Sequence, residues 1–384
     1  MRKKLSTAGS LLALPAALCG IVIVATLFGI SFGPRLERAT GTALIILVLV
    51  IGLKVFIGDS GVFSFGQVAF MGVGAYTTAI TTMSPSQKKF QLPNLPHQLA
   101  VLQLSGWQAA LLSGAVAAVV SIAVSIPLLR LSGLTASLAT VAVLVAFHAV
   151  FQNWDTYTRG NSGIILDAPT PSVAVLLGWA CAAVIAAVIF RRSPLGLRLA
   201  ASREDEVAAR SIGIRVWWER GVAYAVSSFI VGIAGSLFAQ YFGSLNPESF
   251  YLTLTFTGIA MLVVGGLTSV SGAVVGTLTI SIVLELLRAV ERGVHIGSWL
   301  VPSRPGLTEV GLALLLLLVL LLRPAGLTGG QELRMPGMGR KRLASWRWLH
   351  RTPGSTGAGA DAVPLPGDRI TDTTASPTAG GPTP

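Results

Sequence analysis

The sequence predicts an all-α fold, a polytopic transmembrane helical bundle of about ten spans with broken, Gly-rich helices. Three observations carry that reading. Of the 384 residues, 52% are hydrophobic and only 11% are charged, against about 25% charged in ordinary soluble domains. Apolar stretches of roughly 17–25 residues recur, each long enough to cross a hydrocarbon core of about 30 Å as a helix. They are apolar on every face, whereas a membrane barrel needs short strands of alternating polarity.

At the start, Met1-Arg2-Lys3-Lys4 precedes an apolar run from Leu11 to Ile30. The run exceeds the usual apolar core of a secretory leader, about 7–15 residues, and no convincing small-residue cleavage site follows it. Cys19 is preceded by Leu18, where lipoprotein cleavage needs a small residue. Residues 1–10 are therefore read as a cytoplasmic N-terminus and 11–30 as an uncleaved first span. Further spans are expected near 41–57, 62–83, 108–130, 133–152, 173–190, 221–242, 252–268, 271–288 and 306–322, giving a transmembrane domain over 11–330. Short Gly-rich gaps leave re-entrant turns open for some of these.

Ten spans put both termini on one side, and the basic residues test which. The inner set holds the N-terminal cluster, Lys54, Arg130, the arginines from Arg191 to Arg220, and those from Arg323 onward. The outer set holds Arg35, Arg38, Lys88, Lys89, Arg159, Arg288, Arg292 and Arg304. The excess of positive charge inside makes the loop at 191–220 cytoplasmic. It also accounts for the net charge of +12 without nucleic acid, since the cations are scattered over loops. The segment 331–384 turns Pro-, Gly-, Thr- and Ala-rich after a basic-aromatic start. It is expected to be a disordered cytoplasmic tail, either resting on the anionic inner leaflet or solvated.

The densest charge lies between Ser193 and Gly213, with Arg203-Glu204-Asp205-Glu206 in a row. Ser193-Pro194 is a helix-start signal, Ser202 is a candidate cap for a second start, and Glu206 and Arg210 are spaced to pair. Ala209 and Gly213 follow, Gly213 suiting a helix stop. The expected element is a short helix of about three turns. It either packs on its own spans or docks a cytosolic partner.

Two apolar regions are interrupted by glycine. One runs from Gly58 to Tyr76, G-D-S-G-V-F-S-F-G-Q-V-A-F-M-G-V-G-A-Y, and the other from Val263 to Gly276, V-V-G-G-L-T-S-V-S-G-A-V-V-G. Broken backbone inside a membrane is tolerated only where protein or a cavity satisfies it. Paired breaks in two halves point to a substrate pathway; close helix packing through small residues is the other reading. The candidate pathway residues are Gly61, Ser64, Gly66, Gln67, Phe70, Gly74, Gly265 and Gly266, with Thr135 and Thr140 from the fifth span. Their mix of hydroxyls, one amide and phenyl walls suits a small neutral or zwitterionic solute.

Few charges lie within spans. Lys54 is placed to snorkel, Asp59 falls in the first break, Glu285 and Arg288 are three apart, and His148 reads as a structural histidine rather than a proton relay. A cation-driven carrier usually shows carboxylates facing its pathway, and only Asp59 and Glu285 qualify. The sequence has no Walker pattern, no H-E-x-x-H and no G-x-S-x-G, and its two cysteines are far apart. An enzyme reading has no support, and no cofactor or metal is expected in the chain itself.

Four blocks in this order resemble the permease subunits of branched-chain amino acid ABC importers, of the LivM type. They are Gly58–Tyr76, Asn153–Ile165 with its Arg159-Gly160-Asn161-Ser162-Gly163-Ile164 core, Ser193–Ile214, and Arg323–Gly329. The resemblance implies a bundle of the ABC importer permease type in the bacterial inner membrane. It implies partners too: a second homologous permease, two ATP-binding subunits that use ATP and Mg, an extracytoplasmic solute-binding protein, and membrane lipid. Arg203, Glu204, Asp205, Glu206, Ala209 and Gly213 would then form the ATPase-docking surface. Where relatives commonly carry an aromatic pair after the glycine of the fifth span, this chain has Gly133-Leu134-Thr135-Ala136-Ser137-Leu138-Ala139-Thr140. The expected cargo is a branched-chain or other apolar amino acid, with urea or a short amide as the alternative; a stand-alone secondary carrier is the runner-up.

Overall fold

A computed structural model describes residues 2–329, apart from short segments at 129–130, 132, 168–169, 292–294, 297–298, 301–305 and 324–325. The expected tail at 331–384 lies outside the described residues. The chain begins with α1 (Arg2–Ser31) and α2 (Pro34–Leu53), and α2 continues into a π-helical turn, Lys54–Gly58. Then come α3 (Gln67–Thr82), two short helices α4 (Pro85–Gln91) and α5 (His97–Val101), α6 (Gly106–Leu128) and α7 (Gly133–Asn153). After a one-turn α8 (Asp155–Thr158) and a short strand β1 (Ile164–Ile165) follow α9 (Val173–Arg192), α10 (Pro194–Glu204), α11 (Glu206–Ser211) and α12 (Val216–Phe242). Strand β2 (Ser244–Leu245) leads to α13 (Leu252–Gly265), α14 (Val270–Glu291), a small hairpin of β3 (His295–Ile296) and β4 (Trp299–Leu300), and α15 (Leu307–Leu322).

Each of the ten expected spans coincides with a helix. Eight are long and apolar enough to cross a membrane, while α3 and α15 have 16 residues each. At the centre of the bundle, α12 packs against α6, α3 and α2. The apolar windows of α2 and α12 are 83% and 72% buried, against 28% for α1 and for α7. The first pair is therefore core, and the second presents its apolar surface outward, where lipid is the only solvent that would not penalise it.

Residues assigned to the same side meet one another. On the side expected outside, β1 pairs antiparallel with β2, Ile164 opposite Leu245. Gln87 and Gln91 donate from Nε2 to the Ile165 carbonyl at 3.0 and 2.8 Å, and Arg159 reaches Gln91 Oε1 at 3.4 Å. On the opposite side Lys54, Arg191 and Arg203 gather at the end of α2.

Lys54 departs from expectation. It is fully buried and bonded to Asp59 rather than snorkelling, because a carboxylate five residues on supplies a counter-charge that solvent otherwise would.

A candidate site where two helix breaks meet the charged loop

The first break begins where α2 widens into its π turn. Such turns leave backbone groups without their regular partners, and here a side chain from elsewhere takes one. Arg203 Nη1 donates to the Gly58 carbonyl at 2.7 Å. Asp59, fully buried, accepts from Lys54 Nζ at 3.0 Å and forms a close ion pair with Arg191. Helical structure lasts to Ser60 and resumes at Gln67. Gly61 turns the chain with φ +73°, and a Cβ there would stand 2.8 Å from Arg203 Cγ.

The broken segment is held from two sides. Phe65 N donates to Thr140 Oγ1 on α7 at 3.0 Å, and Gly66 sits against the Thr140 carbonyl. Gln67 Oε1 accepts from Ser228 Oγ on α12 at 3.1 Å. Ser64 is buried beside Tyr224, and Phe70 packs edge-on against both Tyr224 and Phe147. Gly74 plays a different part: it lies on the Gly232 backbone, so α3 and α12 touch without side chains between them. Thr135 stands exposed at the start of α7.

The second break separates α13 from α14. Gly265 packs on Gly272 and Gly276 of α14, and Gly266 adopts φ +120°, a conformation that costs a residue with a Cβ. Ser269 Oγ caps α14 by accepting from Gly272 N at 2.9 Å. The block after the last span closes over the end of α13: Leu327 N donates to the Val264 carbonyl at 2.8 Å, and Thr328 Oγ1 to the Gly265 carbonyl at 2.8 Å. The two breaks touch, since Gly58 lies so close to the Leu267 carbonyl that a Cβ has no room. Beside this contact is a cavity of about 360 Å³, walled by Ile57, residues 60–63, Ser202, Arg203, Glu206, Arg220 and Leu267.

The charged loop forms two helices rather than one. Ser193 Oγ caps α10, accepting from Gly196 N at 3.2 Å. Ser202 does not cap the second helix. It is buried and donates to the Leu199 carbonyl at 2.7 Å, leaving the capping to Asp205, whose Oδ1 accepts from Val207 N and Ala208 N at 2.9 Å each. Glu206 bonds Arg210 at 2.5 Å and Arg220 of α12 at 2.9 Å. Burial pushes the Glu206 carboxyl up, but the charges and hydrogen bonds of Arg220 and Arg210 outweigh it and hold the group below its ordinary value.

Ala209 is the buried residue of α11, and Gly213 follows its end with φ +86°. The outward face carries Glu204 together with Val207 and Ile212, 79% and 76% exposed. Sequence reasoning missed that apolar pair as a surface, and it missed Arg191 as the partner of Asp59 and Arg220 as the partner of Glu206. Their signal was available only as basic residues at helix ends. Glu285 and Arg288 both have partners. His148 stacks on Tyr251 with ring centroids 3.9 Å apart and lies 3.5 Å from Glu248. Among the described residues no group of three or more His, Cys, Asp or Glu is placed to hold a metal.

Residues 35–322 match the family described as branched-chain amino acid transport system permease component. The chain is 28% identical over 302 residues to the high-affinity branched-chain amino acid transport system permease protein LivM of Salmonella typhimurium, covering 70% of this chain and 67% of that protein. The Escherichia coli LivM protein matches to the same extent. A shorter likeness, 29% over 162 residues, links it to the ribose import permease protein RbsC of Bacillus subtilis, across 37% of this chain and 47% of the other. The match spans well over half the chain and includes both helix breaks and the charged loop between them, so the protein belongs to the family of branched-chain amino acid transport system permease components.

Proposed function

We propose that this multi-pass permease component carries a branched-chain or other apolar amino acid across the bacterial inner membrane, with both termini in the cytoplasm. A permease of this family works with ATPase and binding-protein subunits and does not itself catalyse hydrolysis. The finer assembly is part of the proposal: a second homologous permease, two ATP-binding subunits that use ATP and Mg, and one extracytoplasmic binding protein. Loop 191–220 is the docking surface, with Arg203, Glu204, Asp205, Glu206, Ala209 and Gly213 forming or supporting it. The pathway is framed by Gly61, Ser64, Gly66, Gln67, Phe70, Gly74, Thr135, Thr140, Gly265 and Gly266.

The observation that carries this reading is the convergence of both breaks on the loop. Arg203 bonds the Gly58 carbonyl at the end of the π turn, and Gly58 rests on Leu267 in the second break. Displacement of the loop by closing ATPase subunits would therefore reach both halves of the bundle at once. The apolar cargo is supported by the two LivM relatives, whose names give branched-chain amino acid transport.

Radiolabelled uptake by the reconstituted complex with its own binding protein tests the cargo across leucine, valine, urea and a sugar. Leucine or valine should lead by at least tenfold. A lead for urea would favour the short-amide reading, and a lead for the sugar would overturn the amino acid assignment.

A further inference from the structure

We propose that the cavity between the charged loop and the two breaks is a binding site for an apolar α-amino acid on the cytoplasmic face, through which imported product slows the transporter. This rests on the orientation and cargo given above. The volume of about 360 Å³ falls within the range of small-molecule sites, about 300–1,000 Å³. Its walls match the parts of such a molecule. Ile57, Val62, Phe63 and Leu267 offer an apolar surface for a side chain, while Arg203, Arg220 and Glu206 bring charges of both signs.

Arg220 adds an observation that points to a ligand. Its side chain is only 10% exposed, one guanidinium nitrogen bonds Glu206, and its buried Nε has no hydrogen-bond partner. A buried donor left without an acceptor is costly, about 1–3 kcal/mol; the guanidinium group that carries it belongs to a residue lining the cavity, where a carboxylate would meet it with a charge-assisted bond. Glu206 would receive the ammonium group.

The position explains the consequence. One wall belongs to the loop (Ser202, Arg203, Glu206) and the other to the breaks (Ile57, residues 60–63, Leu267). A molecule bound to both would tie the loop to the bundle and oppose the movement that ATPase closure drives. Only ligands that favour one conformation shift the balance, and this one would favour the conformation in which the two walls are close.

Proteoliposomes with the ATPase face inside, loaded with ATP, decide the matter when preloaded with unlabelled leucine, with acetate, with ethylammonium or with none. Internal leucine should lower the initial uptake rate several-fold and saturably, and the two single-charge probes should not. In Arg220→Lys the internal concentration giving half the effect should rise at least tenfold; Val62→Phe, which fills the cavity without touching a charge, should raise it as well. Uptake indifferent to internal leucine would overturn the proposal, as would an unchanged half-effect concentration in both variants. If vesicles with no preload fail to take up apolar amino acids, the cargo reading alone has failed. Calorimetric titration of leucine into the nucleotide-free complex then decides the site, and no heat, or heat unchanged in Val62→Phe, overturns it.

Discussion

Asp59 has no exposed surface and meets two cations, Lys54 from its own helix and Arg191 from the end of α9. The arrangement joins three functions in one residue: it neutralises Lys54 inside the bundle, fixes the π turn, and anchors the start of the charged loop. Taking one partner from a buried pair is destabilising by about 3–5 kcal/mol, while replacing the whole pair with apolar groups is often neutral. Asp59→Asn is therefore expected to lower the thermal midpoint of the detergent-solubilised protein sharply. The double variant Lys54→Met/Asp59→Leu is expected to recover much of the loss. Equal midpoints for Asp59→Asn and the parent would show that the pair holds nothing together. The same pairing bears on mechanism, because a carboxylate occupied by two cations is poorly placed to carry a coupling proton.

The loop element was partly legible in the sequence, and its errors are instructive. Ser193 was identifiable as a cap because Ser-Pro is a local signal whose geometry needs no distant partner. Ser202 and Asp205 are both capping types, and choosing between them depends on burial: Ser202 faces the bundle and bonds backward to Leu199, which leaves Asp205 free to cap α11. That assignment changes how docking should be tested. Asp205→Lys would remove a cap, costing about 0.5–2 kcal/mol of helix stability, and so would confuse unfolding with loss of contact. Glu204 is exposed and caps nothing among the described hydrogen bonds, and its neighbours Val207 and Ile212 offer the apolar centre an interface needs. Glu204→Lys should therefore weaken ATPase-subunit retention on purification, or uncouple hydrolysis from transport, while the permease keeps its parent thermal midpoint. Full retention and normal coupling in that variant would remove Glu204 from the docking surface.

Across the whole molecule, the ten helices were legible because each apolar run declares itself by length alone. Their arrangement was not. Uniformly apolar spans carry no mark of which neighbour they face, so the central place of α2 and α12 comes from contacts such as Gly52 on Ser227, 175 positions apart in the chain. The meeting of Gly58 with Leu267 was hidden for the same reason, although both breaks were visible singly through their glycines. Those contacts bear on the energy source. A cation-driven carrier needs an intramembrane carboxylate that changes partner during transport; Asp59 is tied to Lys54 and Arg191, and Glu285 is already engaged. The loop, by contrast, is bonded to the first break through Arg203 and to α12 through Glu206 and Arg220, which lets force applied from outside the membrane reach the bundle. Uptake in cells whose proton gradient is collapsed with an ionophore, while ATP is held constant, should therefore stay near its starting rate, whereas depletion of ATP with the gradient intact should abolish it. The reverse pattern would mean that the chain runs on an ion gradient, and Asp59→Asn and Glu285→Gln would then be the first variants to assay for loss of ion dependence.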